Sequence, residues 1–293
     1  MIELLKYANI SLIYTKDLTF YNPADIPGSI KFCKTRGISF LPDENRKFFY
    51  ELNEDIFLKR HINETRAVCN PTDPIFSKAT LKKFENNNTD NVLLVTDDSR
   101  NIVGVVHIVD YNNDIVYFEL YKLIFEYEKM LREYLVIKGF SNKSFKLFID
   151  KQQLNKSLSS DDRKYWRKRH KEYFGSTVNE KSTYNERQLI LGPFQTFYLS
   201  DLLEFFNYIS PQEICIPQYA SDSIKSLRNR IAHGHDIISP DIIDTKENSG
   251  HLYDFKGLSK FIDHAILFFK SYENLENLWQ VENHKQLEQI KSL

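Results

Sequence analysis

Cysteine is scarce: Cys33, Cys69 and Cys215 are the only three in 293 residues. An odd count without paired spacing excludes a disulfide framework and a cysteine zinc cluster, and it fits a reducing compartment, so a cytoplasmic protein is expected. Long apolar runs are missing as well. The stretches 102–109 and 265–269 fall far short of the roughly 20 residues that cross a bilayer, so no membrane partner is expected. Residues 1–6 lack the basic start and apolar middle of a secretory signal. Charge of one sign is absent, with Lys+Arg 39 against Asp+Glu 40, so any nucleic-acid surface must be a local patch. Only 9 Gly and 9 Pro exclude fibrous or low-complexity chain. No glycine-rich phosphate loop and no Gly-x-Ser-x-Gly elbow occurs, which disfavours P-loop and α/β-hydrolase chemistry.

What is present is a chain of 42% hydrophobic and 14% aromatic residues whose period changes near residue 115. Before it, short β-branched runs are bounded by turn residues. Val92–Val95, the polar turn Asp97–Asn101 and Ile102–Val109 make a strand, turn and strand. Ile38–Leu41, Asp43–Lys47 and Phe48–Leu52 repeat that pattern at an offset of 54 residues, with Asp43 over Asp97 and Arg46 over Arg100. Each copy follows a stretch able to be helical, 27–36 and 75–86. After Asp114 apolar residues recur at separations of three and four, beginning with a long helix and continuing at 161–174, 199–208, 221–233 and 257–281. The spacing predicts an α+β protein with domains at 1–115 and 116–293, the second a helical bundle.

The stretch richest in chemistry is Ser226-Leu227-Arg228-Asn229-Arg230-Ile231-Ala232-His233-Gly234-His235-Asp236. Gly234 suits the left-handed position just past a helix end, which puts His233 on the last turn. There the helix dipole favours imidazolium. Asn229 lies four residues before His233 and is placed to orient its ring. Arg228 lies five before it, about 140° around an ideal helix, so a site shared with another chain is favoured. Arginine and histidine without a carboxylate cluster suit metal-free chemistry on RNA. The histidine moves the proton of the 2′-hydroxyl or of the leaving oxygen, and the arginine clamps phosphoryl oxygens, giving a 2′,3′-cyclic phosphate. The bland alternative is a surface helix with scattered bases and a capping histidine.

Arg228-Asn229-Arg230-Ile231-Ala232-His233, late in a helical region, resembles the Arg, polar residue, three variable residues, His motif of HEPN-domain ribonucleases. The resemblance covers residues 116–293. It implies an all-α HEPN-like domain, a homodimer with a composite cleft, catalytic Arg228 and His233, and Asn229 as the positioning residue. It also implies a toxin or antiviral abortive-infection effector that needs no cofactor for catalysis. Some members carry a modifiable Tyr two residues after the His; this chain has His235 there, an auxiliary candidate. The N-terminal half resembles a tandem CBS pair, a regulatory module that often binds adenine nucleotides. Gly104-Val105-Val106-His107-Ile108-Val109-Asp110 matches its ribose-holding pattern at Asp110, with His107 in place of the usual Thr or Ser, so an adenine-nucleotide effector is expected at these two residues. A purely structural pair is the alternative.

Arg163-Lys164-Tyr165-Trp166-Arg167-Lys168-Arg169-His170-Lys171 holds six Lys/Arg in nine residues and is the candidate RNA-binding surface, or else a solvated helix face with its aromatics in the core. His233, His235, Asp236 and His251 lack the partners of a tetrahedral site, and no metal is expected. The competing function is a noncatalytic nucleotide-sensing or adaptor protein.

Overall fold

The computed structural model describes residues 7–36, 38–85, 92–175, 191–209, 218–233, 236–238 and 255–291. Helix α1 (Ile26–Arg36) leads into strands β1 (Phe40–Pro42), β2 (Phe48–Asn53) and β3 (Ile56–His61). A short β4 (Val68–Cys69), helix α2 (Lys78–Glu85) and strands β5 (Val92–Thr96) and β6 (Ile102–His107) follow. The remaining helices are α3 (Asp114–Ile137), α4 (Asn142–Leu154), α5 (Ser160–Phe174), α6 (Leu199–Ile209), α7 (Gln218–Ala232) and α8 (Phe255–Lys291). The protein is thus mixed α+β, with two small sheets and a helical C-terminal region. Among the described residues no helix is long and apolar enough to cross a membrane.

By contacts the chain forms two compact units: residues 1–121 with 227–266, and residues 122–226 with 267–293. The period change expected at 115/116 lies just inside α3, and residues Leu227–Ile266 group with the two sheets.

In the first unit β1, β2 and β3 are antiparallel, while β4 runs parallel to β5 and β5 antiparallel to β6. The repeat noted in sequence is repeated in geometry. Asp43 O accepts from Arg46 N–H at 2.9 Å, and Asp97 O accepts from Arg100 N–H at 2.9 Å. Both arginines are left-handed, at φ 60° and φ 57°. The two turns also meet, since Ile102 N–H donates to Arg46 O (2.8 Å) and Lys47 Nζ to Ser99 O (2.7 Å). Phe49 and Ile62 share a core with Leu94 and Ile102, so neither copy has an apolar face to bury alone. Strand β3 is an addition to the sequence reading. It follows β2 across Glu54-Asp55, where Glu54 takes φ 55° without the glycine that announces such turns. On β6, a Cβ at Gly104 would lie 2.2 Å from the Tyr14 ring, and Thr15 pairs with Val105. The glycine therefore admits the chain's own residues 14–15.

The second unit is organised around Asp201, fully buried on α6. Its carboxylate accepts from the hydroxyls of Tyr165 and Tyr173, accepts from Ser200 Oγ at 3.1 Å and pairs with Arg169 Nε at 3.1 Å. Burial, then the Asp201 charge, pushes the Tyr165 phenol up to about 12, so it remains a donor at neutral pH. Around this hub Phe145, Phe148, Phe197 and Phe205 pack ring on ring, Phe145 and Phe197 at 4.3 Å. Arg132 is also buried, donating from Nε to Phe194 O and from Nη2 to Phe197 O, each at 3.1 Å. Replacing Asp201 with alanine leaves the Tyr165 and Tyr173 hydroxyls and Arg169 Nε without their shared acceptor and should cost about 3–5 kcal/mol in urea unfolding. Asp201→Asn, which keeps one acceptor, should cost less.

Candidate functional site

Helix α7 is amphipathic, burying Ile224, Leu227 and Ile231 on one stripe. Its opposite side carries the polar residues of the motif. Arg228 is half-buried, and Asn229 and His233 are exposed. The helix ends at Ala232, and His233 closes its last turn, with its N–H donating to Asn229 O at 3.1 Å. Among the described residues the Asn229 amide side chain makes no hydrogen bond to the imidazole; the link between the two residues is the backbone bond of the helix. Arg228 has no hydrogen bond or ion pair among the described residues. His235 lies outside the described residues, as does His251.

Three contacts fix where the motif ends. Tyr117 on α3 donates its hydroxyl to Ile231 O, one of the carbonyls that a helix C-terminus leaves without an internal partner. Arg230 Nη1 donates to Asp236 O at 3.2 Å. Asn112 holds Ile238 through both sides of its amide, Oδ1 accepting from Ile238 N–H at 2.8 Å and Nδ2 donating to Ile238 O at 3.3 Å. Sequence reasoning missed Tyr117 and Asn112, since the first sits in a helical period and the second in a polar turn. His264 on α8 was also missed. It is half-buried, and its proton affinity is lowered by burial first, then by Lys260 and, least, by Arg230, with Asp263 opposing.

At the nucleotide candidate, Asp110 Oδ2 accepts from the His107 backbone N–H at 2.7 Å, capping the 3-10 turn Ile108–Asn112. Burial pushes the Asp110 carboxyl up to about 6, against that hydrogen bond, and lowers the His107 imidazole. Both groups thus lean toward neutral forms.

The basic run divides on α5. Arg163 Nη1 donates to Leu158 O at 2.7 Å, and Arg169 serves Asp201 and Glu172, so these two hold the fold. Lys164, Arg167, Lys168 and Lys171 are exposed at i, i+3, i+4 and i+7, one face of the helix. Lys168 has Glu172 at 3.7 Å, whereas Lys164, Arg167 and Lys171 have no ion pair among the described residues. Trp166 is buried, while Tyr165 is part-exposed with its hydroxyl donating to Asp201. Among the described residues no three His, Cys, Asp or Glu side chains gather as a metal site would require.

The raised Asp110 carboxyl carries a pH dependence. Its folded pKa of about 6 exceeds the ordinary 3.8, so its contribution to stability is full below about pH 4 and is lost as pH rises through about 6. Asp110→Asn keeps the acceptor for His107 without the buried charge. Urea midpoints should favour the variant by about 1–3 kcal/mol at pH 7.5 and converge with the parent chain near pH 4. No family model, no curated protein and no solved structure matches this chain.

Proposed function

We propose that the chain is a metal-independent endoribonuclease of the HEPN type, acting as a homodimer in which two copies of the Arg228/His233 end of α7 make one cleft. The observation that carries this reading is the state of Arg228. Arg132, Arg163, Arg169 and Arg230 all hold carbonyls or carboxylates of the fold, whereas Arg228, half-buried on α7, has no such partner among the described residues. A planar guanidinium so placed is ready to take two phosphoryl oxygens. In the reaction His233 moves the proton, the 2′-oxygen attacks phosphorus and the 5′-oxygen leaves, so the strand ends in a 2′,3′-cyclic phosphate. Asn229 is exposed beside His233, free to touch the substrate rather than the ring.

Arg228 and His233 stand about 140° apart on one helix, which supports a second copy as the source of the missing member. Lys164, Arg167, Lys168 and Lys171 supply a phosphate-tracking face for RNA. The CBS-like half gates the activity through an adenine nucleotide at Asp110 and His107, and such gating suits an effector of antiviral defence that is toxic when released.

The experiment is incubation of purified protein with total RNA in EDTA, with and without adenine nucleotides, followed by end-group analysis. The parent chain should yield 2′,3′-cyclic phosphate ends, and Arg228→Ala and His233→Ala should each be slower by about 10²-fold or more. Cleavage unchanged in His233→Ala rejects the nuclease in favour of the noncatalytic adaptor. Cleavage indifferent to every adenine nucleotide rejects the gating.

A further inference from the structure

The second unit contains a cavity of about 630 Å³, in the ordinary range for a small-molecule site, lined by α4, α5, α6 and Lys225 of α7. It uses none of the residues invoked above for catalysis. Its lining is rich in aromatic rings, Tyr165 and Trp166 from α5, Phe148 from α4 and Tyr208 from α6, with Tyr165 and Trp166 set edge to face. Its polar groups converge from two helices. Glu204 on α6 and Lys225 on α7 lie 3.0 Å apart, and Asn207 is one turn further along α6, donating to Ser221 Oγ at 3.3 Å.

The cavity is built rather than accidental. Tyr165, in its lining, and Tyr173, both on α5, donate to the buried Asp201 carboxylate on α6, so its α5 and α6 walls are held together before any ligand arrives. Two carboxylates, Asp162 and Glu204, face one ammonium, Lys225, in the lining. That balance disfavours a phosphate inside and favours an uncharged planar ring with donors on one edge.

We infer that this cavity binds a guanine base, stacked on the aromatic wall and read by Glu204 and Lys225. A carboxylate beside an ammonium is complementary to guanine's Watson–Crick edge, where two neighbouring N–H donors meet the carboxylate and the O6 acceptor meets the ammonium. Adenine, cytosine and uracil offer a carboxylate only one donor position on that edge. Inosine, which lacks the exocyclic amine, loses one of the two hydrogen bonds. The base can arrive as a free nucleoside or within an RNA strand, and the chemistry at Glu204 is the same. The inference does not rest on RNA cleavage; a chain that cuts nothing still binds guanosine.

Trp166 and Trp279 are the only tryptophans, so in the Trp279→Phe chain emission reports on the cavity wall alone. Titration with guanosine should change that emission saturably, with inosine and the other nucleosides roughly tenfold or more weaker. In the same background Glu204→Gln, checked for unchanged circular dichroism and urea midpoint, should lose the guanosine preference by a similar factor. Calorimetry on the parent chain should give the same ranking. Tighter, salt-sensitive binding of the trinucleotide UGU than of guanosine assigns the base to RNA, and equal binding assigns it to the free nucleoside. The inference is overturned by absence of guanosine binding at millimolar concentration, by equal affinity for all four nucleosides, by an unaltered preference in Glu204→Gln, or by a site that takes spermidine instead.

Discussion

A carboxylate with no exposure to water must be surrounded by donors, and the second unit is built as the answer to that requirement at Asp201. Tyr165, Arg169 and Tyr173 all come from α5, at spacings of four that bring one face of the helix onto α6. Once that face is committed inward, the opposite side of α5 has to present Lys164, Arg167, Lys168 and Lys171 to water. The inward side also carries Tyr165 and Trp166 into the wall of the cavity beside Glu204. One buried charge therefore orients both a cationic surface and an aromatic pocket.

The first unit rests on a different constraint. Each helix-strand-turn-strand copy is too small to bury its own apolar face, so the copies share one core and join turn to turn. The left-handed arginines at 46 and 100 let each strand reverse and re-enter the sheet, a conformation that costs a non-glycine residue about 1–2 kcal/mol. Arg100 offsets part of that cost with a 2.8 Å hydrogen bond to Asn63 Oδ1.

Much of the fold was legible because apolar period dictates it. The turn at Asp97–Asn101 and its copy at Asp43–Lys47 were visible as Asp-to-Arg spacings, and α5, α6 and α7 fall within a few residues of their apolar stripes. Where period gives out, the sequence misleads. Helix α8 runs on to Lys291 past its last buried residues, carried by pairs such as Glu282 with Lys285 and Lys138, which leave no apolar trace. Strand β3 is hidden by a turn without glycine. At the candidate site, Arg228 and His233 are visible as a spacing, but the groups that fix the end of their helix and the segment after it are not. Tyr117 and Asn112 are more than a hundred residues away in sequence and act through backbone carbonyls and amides, which no side-chain pattern encodes.

Counting cations in sequence gives equal weight to residues that the structure uses in opposite ways. The basic run at 163–171 looks the stronger RNA signal, yet two of its three arginines, Arg163 and Arg169, are consumed by Leu158 O and by Asp201. A guanidinium already bound bidentately or in an ion pair has little capacity left for a phosphate, since taking one would leave a buried acceptor unsatisfied. Among the described residues Arg228 carries no such obligation, and it stands on a helix whose end is fixed by Tyr117 and followed by a segment pinned at Ile238. A guanidinium whose head is free of the fold can take an anion without giving up a buried contact, whereas one already engaged cannot. On α5 that leaves Lys164, Arg167 and Lys171 as exposed cations with no ion pair among the described residues, whereas at the end of α7 the arginine without a partner among them is half-buried.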